Sequence, residues 1–166
     1  MSVRFIRLEV IAALLFLLLS VGGLRAAEWR GITPLKSSRA DVERLLGQPN
    51  KLGRYEFENE RAYVHYARGS SCQQTDDCWC SAPADTVLYI YVEMEVEVKL
   101  SALSLDKSKY KKYTSPQDPA IATYTNDDEG ITYHVNQEDG TVTAIDYLPA
   151  SRDCETLVRQ RAKSKE

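Results

Sequence analysis

A run of alternating residues between positions 87 and 100 constrains the fold of this chain more than any other feature. The even positions from Leu88 to Leu100 are all apolar, whereas the odd positions carry Val87, two tyrosines, three glutamates and a lysine. A period of two places successive side chains on opposite faces of a β-strand. The run exceeds the usual strand length of five or six residues, so we expect a bend or bulge within it. The pattern predicts a sheet with one face in the core.

Two hairpins are predicted on either side of this strand. Their strands are rich in Tyr, Phe, Val and Ile, and each pair flanks a short polar turn. The predicted hairpins are 54–58 with 61–67 around Asn59-Glu60, and 131–137 with 141–148 around Asp139-Gly140. Between them, residues 69–85 and 101–120 contain many turn-forming residues and are predicted to be loops, the second with one helical turn.

A short helix is predicted before the sheet, because Ser37 or Ser38 can cap it and Asp41 lies in its first turn. Val42, Leu45 and Leu46 form an apolar stripe, and Gly47 ends the helix. A second short helix is expected over 153–160. The predicted fold class is α+β, a single antiparallel sheet with a short N-terminal helix packed on it and a short C-terminal helix.

The first 27 residues have the composition of an export signal. A cationic head, Met1 to Arg7, precedes an apolar stretch from Val10 to Leu19, and the segment ends on Ala26 and Ala27. The alternative is an uncleaved anchor, since a weaker apolar run approaches the length of a membrane span. Cleavage is favoured because Glu9 shortens the apolar core. We therefore expect a protein in the periplasm or outside the cell, with a membrane contact only if this segment is retained.

The remaining chain has the length of one domain. The predicted division is a signal peptide over 1–27, one α+β domain over 28–158 and a flexible basic tail over 159–166. The formal net charge is −3, which offers no electrostatic reason to bind nucleic acid.

Cys72, Cys78, Cys80 and Cys154 make an even number of cysteines, which in an oxidising compartment favours two disulfides. A bond between Cys78 and Cys80 is disfavoured, because residues two apart in an extended chain are near the upper limit for bridging. Either Cys78 or Cys80 is then expected to reach Cys154. The alternative is a metal carrier using all four sulfurs, although their spacing differs from that of paired zinc ligands.

No catalytic signature is present in the sequence. It lacks the zinc-protease, nucleophile-elbow, phosphate-loop and dinucleotide patterns, and His65 and His134 are predicted to be strand-surface residues. The protein is therefore predicted to be neither an enzyme nor a carrier of a cofactor.

The polar face of the central strand is the candidate binding face, comprising Tyr89, Tyr91, Glu93 and Glu95. Amphipathic aromatic side chains suit contacts with proteins or glycans. The glutamates are expected to form a solvated row, opposite the lysines of 107–112, rather than a catalytic pair.

The stretch from Ser37 to Pro49, which ends in Leu46-Gly47-Gln48-Pro49 and is followed by a Tyr-rich hairpin, resembles the SmpA/OmlA family of outer-membrane assembly lipoproteins. The resemblance covers residues 37–66 and implies a capped helix followed by strands. Lys36 stands where that family has Gly, and the lipid-bearing Cys is absent. The resemblance therefore does not imply membrane anchoring or assembly work for this chain.

Together these features predict an exported, non-catalytic binding or envelope-associated protein. The alternatives are a secreted hydrolase or hydrolase inhibitor that uses the Tyr/Glu strand face, and the metal carrier.

Overall fold

The computed structural model describes residues 26–69 and 78–163. The strands in chain order are β1 Tyr55–Glu56, β2 Glu60–Tyr66, β3 Val87–Lys99, β4 Lys111–Ser115, β5 Asp118–Asn126, β6 Ile131–Asn136 and β7 Thr141–Tyr147. The helices are α1 Arg39–Leu46, α2 Cys78–Ser81 and α3 Ser151–Lys163, with short 3-10 turns at Leu100–Leu103 and Lys107–Lys109. The predicted export segment falls outside the described residues up to position 25, and so does Cys72.

All seven strands form one antiparallel sheet in the order β1-β2-β3-β7-β6-β5-β4. β3 is an interior strand that pairs with β2 along one side and with β7 along the other. Its pairing with β7 is interrupted between Glu93 and Val98, which confirms the irregularity expected for so long a strand.

The apolar face of the sheet carries two adjoining clusters of buried residues. The first cluster is Trp29, Ile32, Val42, Tyr55, Ala62, Val87, Ile90 and Val92, and the second is Leu100, Ile131, Tyr133, Val135 and Val142. Met94 and Tyr147 pack against both clusters and so join them. The core therefore extends along one side of the sheet and leaves the other side free for polar and aromatic residues.

α1 begins and ends where the sequence predicts. The Ser38 hydroxyl accepts the Asp41 N–H, and the Asp41 carboxylate accepts the Ser38 N–H, which forms a reciprocal capping box. Gly47 ends the helix with φ +80° and donates its N–H to the Glu43 carbonyl.

The predicted fold class, an α+β domain with the N-terminal helix packed on the sheet, is wrong. The described chain is mostly one seven-stranded sheet, with the C-terminal helix α3 and the small helix α2. α1 spans about two turns and buries only Val42, so it does not form a layer on the sheet. The irregular segment before it contributes the neighbouring buried residues Trp29 and Ile32.

Two further predictions differ from the structure. Residues 101–120 are not merely a loop, because β4 and the start of β5 form a hairpin there. The closing helix is longer than 153–160 and continues through Lys163, so it includes basic residues that the sequence places in a tail over 159–166. Residues 164–166 lie outside the described part.

α3 is attached by a disulfide and by polar contacts, among them the Lys36–Asp153 ion pair at 2.7 Å, rather than by a fully buried face. It buries none of its residues and lies against α2. Cys78 is bonded to Cys154, with 5.1 Å between their Cα atoms and a sequence separation of 76. This disulfide confirms that one of the two neighbouring cysteines reaches Cys154. In residues 26–69 and 78–163, no helix combines the length and apolarity that crossing a bilayer requires.

Candidate functional site

The side of the sheet opposite the core gathers aromatic and ionisable residues from four strands. Strand register places Tyr63 beside Tyr91, His65 beside Tyr89, and Asp146 beside Tyr91. Because Ile90 and Val92 point into the core, their odd-numbered neighbours on β3 point away from it. We call this surface the aromatic face; it comprises Tyr63, His65, Trp79, Tyr89, Tyr91, His134 and Asp146.

One end of the aromatic face is a three-ring stack. The His65 and Tyr89 rings are parallel, with an interplanar angle of 8° and centroids 4.0 Å apart. Trp79 of α2 contacts Tyr89 edge-on at 5.4 Å and remains 38% exposed. Burial lowers the pKa of His65, against the opposing effect of the Asp146 carboxylate, so the imidazole is neutral at pH 7. The stack is thus an uncharged aromatic surface with its Trp edge in solvent.

The other end of the aromatic face is a histidine–carboxylate pair. His134 Nε2 lies 2.7 Å from Asp146 Oδ2, and the two side chains are 28% and 20% exposed. The Tyr91 ring meets the His134 ring edge-on at 6.2 Å and the Tyr63 ring at the same centroid distance. Burial raises the pKa of Tyr91, so its phenol stays protonated and can donate a hydrogen bond. This end therefore presents hydrogen-bonding groups, the His134–Asp146 pair and the Tyr91 hydroxyl, next to aromatic rings.

The four predicted binding residues lie on one face of β3 but divide into two groups. Tyr89 and Tyr91 belong to the aromatic face, whereas Glu93 and Glu95 form ion pairs with Arg61, at 3.8 and 2.6 Å. The expected partners, the lysines of 107–112, are not the ones used. β2 pairs with β3 and places Arg61 directly beside Glu93, while the lysines lie in the 3-10 turn and on β4, at the far edge of the sheet.

Sequence reasoning did not single out Trp79, His65, His134 or Asp146 as members of a site. The two histidines do lie on strand surfaces, as predicted. Their convergence with Tyr89 and Tyr91 depends on strand order and register, which no local pattern specifies. One sequence signal could have indicated the shared face. In its strand, each histidine lies an odd number of positions from a buried apolar residue, so its side chain points away from the core.

The three cysteines among the described residues are engaged in disulfide bonds. Cys78 is buried and bonded to Cys154, and Cys80 is also disulfide-bonded. Zinc binds cysteine as the thiolate, which a disulfide removes. Among residues 26–69 and 78–163, no cluster of three or more His, Cys, Asp or Glu side chains is arranged to hold a metal ion. Because Cys78, Cys80 and Cys154 are disulfide-bonded, they do not present the thiolates that the metal-carrier alternative uses.

Comparison with protein families gives no match. No curated protein matches the chain. Among solved structures, the chain is similar to a cysteine-rich secretory protein from Staphylococcus aureus subsp. aureus Mu50, with 11% sequence identity and a TM-score of 0.31. The similarity covers 74% of this chain and 50% of that one, so the chain spans about half the length of that structure.

Proposed function

We propose that this chain is an exported, non-catalytic protein that binds a partner on the aromatic face. The observation that carries the proposal is the convergence of Trp79, Tyr89 and His65 on the side of the sheet that the core does not use. Large, rigid aromatic rings with polar tips are typical of recognition surfaces, because they bury much area with little loss of side-chain entropy.

The proposed location outside the cytoplasm is supported by covalent chemistry and by the first 27 residues. The Cys78–Cys154 bond suits an oxidising compartment. The cationic and apolar pattern of residues 1–27 suits an export signal. An envelope-associated role would agree with the SmpA/OmlA resemblance, since α1, the Gly47 stop and the β1–β2 hairpin follow the order that this resemblance implies.

A non-catalytic role is supported by the placement and ion pairing of the glutamates on β3. Glu93 and Glu95 occupy successive outward positions of one strand and share one cation, Arg61. Acid–base hydrolysis of glycosides needs two carboxyl groups on opposite sides of a substrate gap, with separated pKa values. Neighbours on a single strand do not provide that gap, so the hydrolase alternative is less well supported than binding.

The proposal predicts that trimming the aromatic face abolishes partner capture. Trp79→Ala combined with Tyr89→Ala removes two of the three contacting rings, whereas Tyr113→Ala removes a 62% exposed ring from β4 at the far edge of the sheet. Purified tagged chains are incubated with an envelope extract, and bound proteins and glycans are quantified separately. We expect the double variant to lose the partner and Tyr113→Ala to retain it.

If the unmodified chain, the double variant and Tyr113→Ala capture the partner equally and have equal unfolding midpoints, the aromatic face is not the binding surface. Capture of a glycan alone would assign the face to carbohydrate rather than protein. Cell fractionation of the same tagged chain tests the location, which is contradicted if the chain is cytosolic with free thiols.

A further inference from the structure

A cavity lies on the core side of the sheet, away from the aromatic face. It has a volume of about 250 Å³ and lies between the outer strands and the segment that follows β3. Its apolar lining is provided by Leu100, Ala122 and Val135, all of which are buried. Tyr124 forms part of the wall, on the same face of β5 as Ala122. The cavity thus has an apolar floor and an aromatic side.

Two lysines that pair with no acidic side chain of the described residues lie at this cavity. Lys107 comes from a 3-10 turn and Lys112 from β4, and neither forms an ion pair with any other described residue. The Lys112 ammonium lies 5.7 Å from the centroid of the Tyr124 ring. The third lysine of the lining, Lys99, is ion-paired with Glu97 at 2.6 Å and with Asp139 at 3.0 Å, and Asp139 also lines the cavity.

This local charge is opposite to that of the whole chain, whose formal net charge is −3. Lys107 and Lys112 are exposed, and ammonium groups that no described carboxylate pairs with attract anions to the surface beside them. The cavity therefore combines lysines that attract anions with buried apolar side chains.

The lining also offers hydrogen bonds suited to hydroxyl groups. The Asn136 side-chain oxygen accepts the Glu138 N–H, so its NH₂ group remains a donor. Gln137 donates from its NH₂ group to the Pro119 carbonyl, so its oxygen remains an acceptor. Both residues line the cavity. A ligand with several hydroxyls could satisfy both amides.

We propose that this cavity binds a small acidic sugar, a single ring carrying a carboxylate or phosphate. The anionic group would contact Lys107 and Lys112, and the ring would lie against Tyr124 and the apolar floor. Pockets for drug-sized molecules begin at about 300 Å³. The cavity, at about 250 Å³, is slightly smaller, so its volume suits a ligand of one ring. The acidic sugar can be free or the end of a longer glycan.

Calorimetric titration of the full chain tests the proposal with four probes: glucuronate, glucose 6-phosphate, glucose and inorganic phosphate. We expect the two acidic sugars to bind at least tenfold more tightly than glucose, because a hydrogen bond to a charged group contributes more than a neutral one. Inorganic phosphate, which lacks the ring, should bind more weakly than glucose 6-phosphate. An oligosaccharide ending in glucuronate distinguishes a glycan end from a free sugar.

Matched lysine variants locate the binding. Lys107→Gln with Lys112→Gln should weaken glucuronate binding at least tenfold, whereas Lys109→Gln changes a neighbouring lysine that does not line the cavity and should have no effect. If the double variant does not fold, Lys107→Gln alone, in an exposed turn, gives the same comparison. The proposal is overturned if glucose binds as tightly as glucuronate, if Lys109→Gln weakens binding equally, or if no acidic sugar binds at about 20 mM.

Discussion

Single residues determine how closely the chain can fold back on itself at the end of the sheet. Gly130 has φ +69°, and a Cβ atom placed there would lie 2.2 Å from the Leu148 carbonyl oxygen and 2.8 Å from the Ala150 nitrogen. The Leu148 N–H donates to the Gly130 carbonyl at 2.7 Å, so the two segments are held together at this point. A backbone contact this close requires glycine.

Gly130→Ala should therefore destabilise the protein far more than Gly140→Ala. Gly140 has a similar φ of +74°, but a Cβ atom there would meet nothing within 4 Å. Both variants carry the cost of a left-handed alanine, about 1–2 kcal/mol, and only Gly130→Ala adds a backbone clash. Urea unfolding measures both. Equal losses of stability would mean that the 130 and 148–150 segments are not in contact.

At the scale of elements, the start of α1 depends on the reciprocal contact of Ser38 and Asp41. Backbone and side-chain hydrogen bonds from Ser38, aided by Arg44, lower the pKa of Asp41 to about 2. Because the folded-state pKa lies below the ordinary value of 3.8, ionised Asp41 favours the folded state. This contribution is present above about pH 4 and is lost as the pH falls towards 2.

Asp41→Asn should consequently reduce stability at pH 5 and have a diminishing effect as the pH falls to 2. Ser38→Ala removes the other half of the cap and should cost about 1 kcal/mol at neutral pH. Stability is measured by urea unfolding at each pH. Glu138→Gln, at an exposed position in the β6–β7 turn, serves as a control for removal of one acidic charge. A pH-independent effect of Asp41→Asn would contradict the depressed pKa.

The elements that could be predicted from sequence are those with local signals. The cap at Ser38, the glycine stop of α1 and the alternation of β3 depend on residues within a few positions of one another. The β4–β5 hairpin was missed because β4 is an exposed edge strand with Lys111, Lys112 and Tyr113 in solvent, so it shows no alternation of apolar and polar residues.

At the scale of the whole molecule, long-range pairing determines both the fold and the candidate site. β3 pairs with β7, with Ile90 beside Tyr147, although β4, β5 and β6 lie between them in the chain, and no local pattern specifies this partner. Tyr89 and Tyr91 were predicted because they lie within one strand. Their neighbours His65, Trp79 and His134 come from other elements, so the complete aromatic face emerges only from the tertiary structure.

The Cys78–Cys154 disulfide is expected to hold α3 in place without being needed for the sheet. Removing it with Cys78→Ala and Cys154→Ala opens a loop that spans a sequence separation of 76, and the chain-entropy account assigns such a crosslink about 4 kcal/mol. Because α3 buries no residue, its amides should lose hydrogen-exchange protection in the variant, while β3 and β7 amides stay protected in the same sample. Unchanged α3 protection would mean that noncovalent contacts suffice.

Site-specific photocrosslinking in the cells that make the protein tests the central claim most directly. A photoreactive residue is placed at position 65, in the exposed part of the aromatic face, or at position 113, on the far edge strand. We predict that position 65 yields an adduct with an envelope or extracellular partner, and that position 113 does not. An exported, folded chain that yields no adduct at position 65, or the same adduct at both positions, would contradict a binding function for the aromatic face.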